Sequence, residues 1–267
     1  MSDGTPAGRG GRSAATDPVI DRAFALLAAF SPEQPTATLT ELSNRTGFPV
    51  STVHRLAGRL QAWGALERRA DGKFVIGLRL FEIASLAPRG HGMREVAMPY
   101  LGDLAEATHQ HVQLAVLEQD EAMLVERMSH RTASPVHYRV GGHIPLHSTG
   151  TGLVLLAHAD PRLQERILQG PLVRQPEGTE IDPVALRRDL ADIRKLGHAV
   201  FRRSSPTTVL SVAAPVWDRD DRCCAALSVI VADEGASPQP LVPAIISAAR
   251  AISRELGAPR ARATHTR

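Results

Sequence analysis

Apolar positions recur along the chain at two different periods, and the change of period divides it. In 17–30, Val19, Ile20, Ala23, Leu26, Leu27 and Phe30 fall at helical spacing behind Asp17-Pro18, and Pro32 and Pro35 end the run. Segment 38–46 predicts a second short helix, with Thr38 and Glu41 at capping-box spacing and Gly47 as the stop. Segment 50–62 predicts a third helix with Val53, Leu56 and Leu60 on one face. Two short alternating runs then flank Ala70-Asp71-Gly72, and Asp-Gly between such runs predicts a hairpin. Residues 78–87, with Leu78, Leu80, Phe81, Ile83, Ala84 and Leu86, predict another helix before the linker-like PRGHG.

Beyond the linker, 93–109 predicts a long amphipathic helix that tolerates Pro99 at some cost. From residue 111 the period becomes two. HVQLAVLE, AMLVERM and SPVHYRV (134–140) predict antiparallel strands. Residues 149–158 predict a buried helix, followed by polar helices around 161–169 and 182–196, the second ending at Gly197. VLSVAAPVWD and CCAALSVIVA predict two more strands joined at Arg219-Asp220-Asp221, and 240–256 a last helix. The expected organisation is α+β: a helical module with a hairpin, a linker helix and an α/β domain.

Composition narrows the classes. With 267 residues, 43% apolar and 22% charged, the chain is globular, and neither largely disordered nor collagen-like. Its length favours two domains over one. No apolar run approaches the roughly 18 residues needed to cross a bilayer as a helix, so no membrane partner is expected. The expected boundaries are a tail at 1–16, a first domain at 17–77, the linker helix at 78–90, a second domain at 91–257 and a tail at 258–267. MSDGTPAGRGGRSAAT lacks the apolar core of a signal peptide, and adjacent Cys223 and Cys224 offer no disulfide framework. The cytoplasm is therefore the expected compartment.

Charge is distributed unevenly. Residues 91–267 are neutral overall, whereas 50–79 holds Arg55, Arg59, Arg68, Arg69, Lys73 and Arg79 against Glu67 and Asp71. A basic stripe beside a neutral bulk suits a module that tracks phosphates, although a solvated Arg-rich face gives the same count. The stripe coincides with a helix-turn-helix spacing: a small residue, Ser43, then Gly47 at the turn, then apolar Val53 six further on. The hairpin after it matches a wing. With Val53, Leu56 and Leu60 inward, the outward face carries Ser51, Thr52, His54, Arg55 and Arg59, and the hairpin adds Arg68, Arg69 and Lys73. These are base-reading and phosphate-binding types. The alternative is a structural three-helix cap with a wet polar face.

The run LTELSNRTGFPVSTVHRLAGRLQAWGALER…GKFVIGLRL resembles the winged-helix domain of the IclR family of bacterial transcriptional regulators. IPLHSTGTGLVLLAH, IRKLGHAV and VLSVAAPVWDRDDRCCAALSVIVA resemble, in order, stretches of that family's effector domain. The resemblance runs from about residue 17 to 257. It implies a winged helix-turn-helix domain, a linker helix and a C-terminal GAF-like effector-binding domain. It also implies a homodimer or dimer of dimers on a palindromic double-stranded DNA operator, more often repressing than activating. The implied effector pocket lies at the segment Ser148–Leu153 and the strands carrying Ser211 and Ser228. Arg202 and Arg203 stand where the family tends to carry acids, so the expected small-molecule effector is anionic. Ser148, Thr149, Gly150, Thr151, Arg202, Ser211 and Ser228 are its expected contacts.

Competing chemistry finds little support. The chain contains no GxSxG, P-loop or HExxH motif, and no GxGxxG follows a strand. Gly150-Thr151-Gly152 can cradle an anion on free backbone N–H groups, or can simply begin a helix. His143 and His147 are separated by Pro145, His109 and His111 would share a strand face, and the adjacent cysteines read as strand residues. No metal, cofactor or catalytic residue is therefore expected. The rival class, an α/β enzyme that binds a small molecule and carries a helical appendage, lacks a convergent nucleophile or acid–base pair.

Overall fold

A computed structural model describes residues 19–87, 91–131, 133, 138–174, 179–203 and 208–262. The expected tail at 1–16, most of SPVHYRV, the first three residues of PRGHG and residues 204–207 and 263–267 lie outside them. The chain divides into two compact units, Met1–Ala87 and Pro88–Arg267.

In the first unit, α1 (Val19–Ala28), α2 (Leu39–Thr46) and α3 (Val50–Trp63) enclose Leu26, Leu42, Val53, Leu56 and Ala57. The α2 start carries the expected capping box: Thr38 accepts from the Glu41 amide at 3.2 Å, and the Glu41 carboxylate accepts from the Thr38 amide at 2.7 Å. These two bonds satisfy donors a helix start otherwise leaves open, and donation from the Thr38 amide, then from its hydroxyl, holds the Glu41 carboxyl below its ordinary range. Gly47 ends α2 at φ 72°, the left-handed region that favours glycine. Ser43 donates its hydroxyl to the Phe48 carbonyl at 2.6 Å and so clasps the turn as well as letting the helices cross. Strands β1 (Leu66–Arg68) and β2 (Phe74–Ile76) pair antiparallel around Asp71-Gly72, and Ala37 bridges to Phe74 on the other side. Helix α4 (Leu78–Ala84) follows with no buried residue.

In the second unit, α5 (His91–Thr108) leads into an antiparallel sheet. Its strands are β3 (His111–Glu118), β4 (Glu121–Ser129), β5 (His143–Pro145), β8 (Ala199–Arg203), β9 (Val209–Trp217) and β10 (Cys223–Ala232), in the order β5-β4-β3-β10-β9-β8. One face packs on α5 and α9 (Leu241–Glu255) through Leu101, Val112, Leu227, Val212 and Ile252. The other is covered by α6 (Gly150–Ala157), α7 (Pro161–Gln169) and α8 (Pro183–Leu196), which follow the 3-10 turn Leu146–Ser148. Between α7 and α8 a short ribbon pairs β6 (Val173–Arg174) with β7 (Thr179–Glu180). Every residue of α6 is buried. Each Leu buried there contributes about 1.5–3 kcal/mol.

Three expectations need correction. Tyr138, Arg139 and Val140 form no strand. Gly141 turns the chain at φ 75°, so pairing with β4 resumes only at His143–Pro145. β8 went unanticipated because Arg203 occupies an inward position and breaks the apolar alternation. Residues 258–262 do not begin a tail: α10 (Pro259–Arg262) forms there, with Ala258 fully buried.

Candidate functional site

The candidate outward face is built on α3. Burying Val53, Leu56 and Ala57 turns Ser51, His54, Arg55 and Arg59 to solvent, with Thr52 half-buried beside them. Neither Arg55 nor Arg59 makes a hydrogen bond or ion pair with another described residue. The wing residues behave differently. Arg68 donates from Nε to the Gly72 carbonyl at 3.1 Å and lies over the Phe74 ring, which ties down the hairpin. Arg69 faces Asp71 at 3.8 Å, and Lys73 is half-buried. Two free guanidiniums on the helix and a pinned basic hairpin next to it therefore make up the face.

The candidate inward site lies between α6 and the sheet. Gln113 on β3, Ser228 on β10 and Ser211 on β9 share one sheet face: Ser228 is directly opposite Gln113, and Ser211 opposite Ile230. Strand alternation aims all three at the start of α6, where Ser148, Thr149, Gly150 and Thr151 meet them. Gly150 permits that approach, since a Cβ there would stand 2.5 Å from the Ser211 Oγ. Thr149 is committed to the turn: it accepts from the Gly152 amide at 3.0 Å and donates to the Pro145 carbonyl at 2.9 Å. Apolar walls come from Ile144, Phe201, Val209 and Ile230.

Arg203, rather than Arg202, reaches this cavity. β8 alternates, so Phe201 and Arg203 face inward while Arg202 points out and pairs with Asp233. The Arg203 guanidinium donates to the Tyr138 hydroxyl at 3.1 Å and stacks over its ring, with only 6% of the residue exposed. Gln113 and Tyr138 were missed in the sequence, and of the pair Arg202 and Arg203 the expected contact was Arg202; Gln113 sits in the inward register of HVQLAVLE and could have been flagged by that alternation.

Four buried donors around the cavity lack partners among the described residues: Gln113 Nε2, Arg203 Nε, Ser211 Oγ and Ser228 Oγ. Each such group costs about 1–3 kcal/mol when unpaired, so their convergence is not neutral packing. Among the described residues no carboxylate lines the cavity. Its free volume is about 20 Å³, room for roughly one water. A larger ligand enters only by moving the walls.

A winged helix-turn-helix in one unit and a donor-lined cavity in the other define a DNA-binding protein that carries its own small-molecule sensor. The family model described as "IclR helix-turn-helix domain" matches residues 19–70, and "Bacterial transcriptional regulator IclR C-terminal" matches 87–254. The chain belongs to the IclR family, whose members are transcriptional regulators and not enzymes. Among its relatives, the HTH-type transcriptional regulator BhcR of Paracoccus denitrificans is 32% identical over 85% of this chain and 83% of its own length. The transcriptional repressor IclR of Escherichia coli is 28% identical over 84% and 86%. The crystal structure of an IclR homolog from Microbacterium hydrocarbonoxydans, complexed with 4-hydroxybenzoate, is 34% identical. It covers 90% of this chain and 99% of that one, at a TM-score of 0.85. Among the described residues no helix is long and apolar enough to cross a membrane.

Proposed function

We propose that this regulator represses transcription from a two-fold operator as an even-numbered oligomer, and that a small aromatic carboxylate entering the cavity of the second unit changes its grip. Arg55 and Arg59 read bases and phosphates, Ser51, Thr52 and His54 add contacts from the same helix, and the wing carrying Arg68, Arg69 and Lys73 tracks the backbone. The observation that carries the ligand class is the set of four unpartnered donors, one of them a guanidinium, in a cavity without a carboxylate. A carboxylate accepts from several of them at once, and charge-assisted bonds are the stronger kind. Ile144, Phe201 and Ile230 suit a ring. The 4-hydroxybenzoate complex of the Microbacterium hydrocarbonoxydans homolog supports an acid of that shape.

Assembly is supported by the first unit's exposed apolar residues. Phe24 is 64% exposed, Phe81 70% and Leu86 78%. Pairing between subunits covers such a surface, and two-fold operators are read by two-fold proteins. The working compartment on this reading is the cytoplasm, with the DNA.

The test is a thermal-shift panel of benzoates and aliphatic acids on the full chain. We expect a benzoate to raise the melting temperature by mass action, and Arg203→Gln to abolish that shift. If no carboxylate shifts the wild type, or if Arg203→Gln responds as the wild type does, the ligand assignment is wrong. Operator binding is tested separately by its salt dependence, where Lys73→Ala should flatten the log–log slope by about one unit.

A further inference from the structure

A second cleft lies beside the Trp217 end of β9, at the opposite end of α6. It holds about 250 Å³ and is lined by His158, Arg194, Trp217, Arg250 and Arg260, with no carboxylate among the described lining residues, while Asp160 and Asp221 line the adjoining cleft. Three guanidiniums from three helices converge there: Arg194 from α8, Arg250 from α9 and Arg260 from α10. Trp217 forms the floor, with the Arg260 guanidinium 3.7 Å above its ring centre and the His158 ring edge-on at 4.8 Å. The nearest acids are occupied: Asp160 caps the Arg162 amide at 2.7 Å, and Asp221 accepts from Arg260 at 3.2 Å. The carbonyl end of α6 would repel an anion, but Arg194 covers it by donating to the Ala157 carbonyl at 3.0 Å. His158 Nε2 is buried and has no partner among the described residues.

We infer that this cleft is a second ligand site, separate from the cavity at the start of α6, and that it takes a small oxyanion, either a carboxylate or a phosphate. Arg250 and the remaining N–H groups of Arg194 supply the fork-shaped donors, Arg260 adds Nη1 because the Asp221 carboxylate and carbonyl take its Nε and Nη2, and the imidazole N–H of His158 supplies one more. Burial, and then the charges of Arg194 and Arg260, push the His158 pKa down to about 4, so near neutral pH the ring is uncharged and can donate without adding to the repulsion among the cations. A bound anion relieves that repulsion. The two sites then lie at opposite ends of one eight-residue helix.

Trp217 makes this testable in the full chain. The sequence has two tryptophans, and Trp63 is exposed, so Trp63→Phe leaves Trp217 as the sole reporter. We expect inorganic phosphate or succinate, titrated separately at constant ionic strength, to change Trp217 fluorescence saturably, with a midpoint of about 1 mM or below. The responding probe separates a phosphate ligand from a carboxylate. Arg250→Gln, at an exposed position, should raise the midpoint about tenfold. Arg203→Gln, in the other cavity, should leave it unchanged. Absence of saturation with both probes overturns the inference, as does a midpoint indifferent to Arg250→Gln and Arg194→Gln. A midpoint moved by Arg203→Gln instead assigns the anion to the first cavity and overturns it too.

Discussion

In the first unit the side chains proposed to read DNA stand in water: Arg55 and Arg59 are exposed, and neither makes a hydrogen bond or ion pair with another described residue. In the second unit Gln113, Arg203, Ser211 and Ser228 are buried at 6% exposure or less, with donor atoms that find no partner among the described residues. The first arrangement costs the folded state almost nothing, because solvent satisfies a waiting guanidinium. The second is destabilising until a ligand arrives, since buried donors give up water without a replacement. A DNA-reading face can thus be altered without touching stability, whereas a sensing cavity trades stability against response.

The largest test of that contrast is Gly150→Val. The added side chain would meet Ser211 Oγ at 2.5 Å, and overpacking at a helix seated on a sheet costs about 1–3 kcal/mol. We expect a lower melting temperature and loss of the ligand response, with operator affinity in the absence of ligand within a factor of a few of wild type. A variant that keeps both its stability and its response would show that α6 does not sit tightly on β9.

Arg55→Ala should do the reverse. Operator binding should weaken by about 1–3 kcal/mol, with less loss on random DNA, while the denaturation midpoint stays unchanged. Equal loss on specific and random DNA would make Arg55 a phosphate contact.

Mild acid should act on the second unit through His158. The folded His158 pKa of about 4 lies below its ordinary 6.5, so between those values the unfolded chain binds a proton that the folded chain refuses. Stability supplied by this group is therefore complete above about pH 6.5 and is lost as pH falls toward 4, by about 1–2 kcal/mol after solvent screening. His158→Gln should flatten the urea midpoint across that window.

The smallest effect sharpens the comparison most. Ser228→Ala removes a buried hydroxyl that has no partner, so it should raise stability by about 1 kcal/mol while weakening ligand binding. Calorimetric unfolding with and without benzoate reads both; a destabilised variant would mean the hydroxyl is already satisfied in the folded chain.

Legibility in the sequence follows the same divide. The capping box at Thr38, the Gly47 turn and the Asp71-Gly72 hairpin were readable because each is a local rule written in neighbouring residues. Ser211 and Ser228 could be placed on neighbouring strands by alternation. The choice between Arg202 and Arg203 could not, because it depends on which face of β8 meets the sheet's covered side, and β8 itself was hidden by an arginine in an inward position. The cleft around Trp217 was invisible for a related reason: its three arginines come from three helices, and no spacing in the chain marks their convergence.

Helix α4 has seven residues and buries none of them. A helix so short does not hold its shape alone in water, since one costly nucleation step is repaid by too few hydrogen bonds. Two contacts tie it to its own unit, the Leu78 amide donating to the Glu67 carboxylate at 2.8 Å and Arg79 lying over the Trp63 ring, while its apolar side chains Leu78, Phe81 and Ile83 stay exposed. On the proposed assembly, folding of this element and association of subunits are coupled. The abundance of the protein then becomes an input of its own: diluted below its association midpoint, a cell's stock of regulator would lose the stiff segment at the end of its DNA-reading unit, and a change in its own expression would reset the threshold at which it answers.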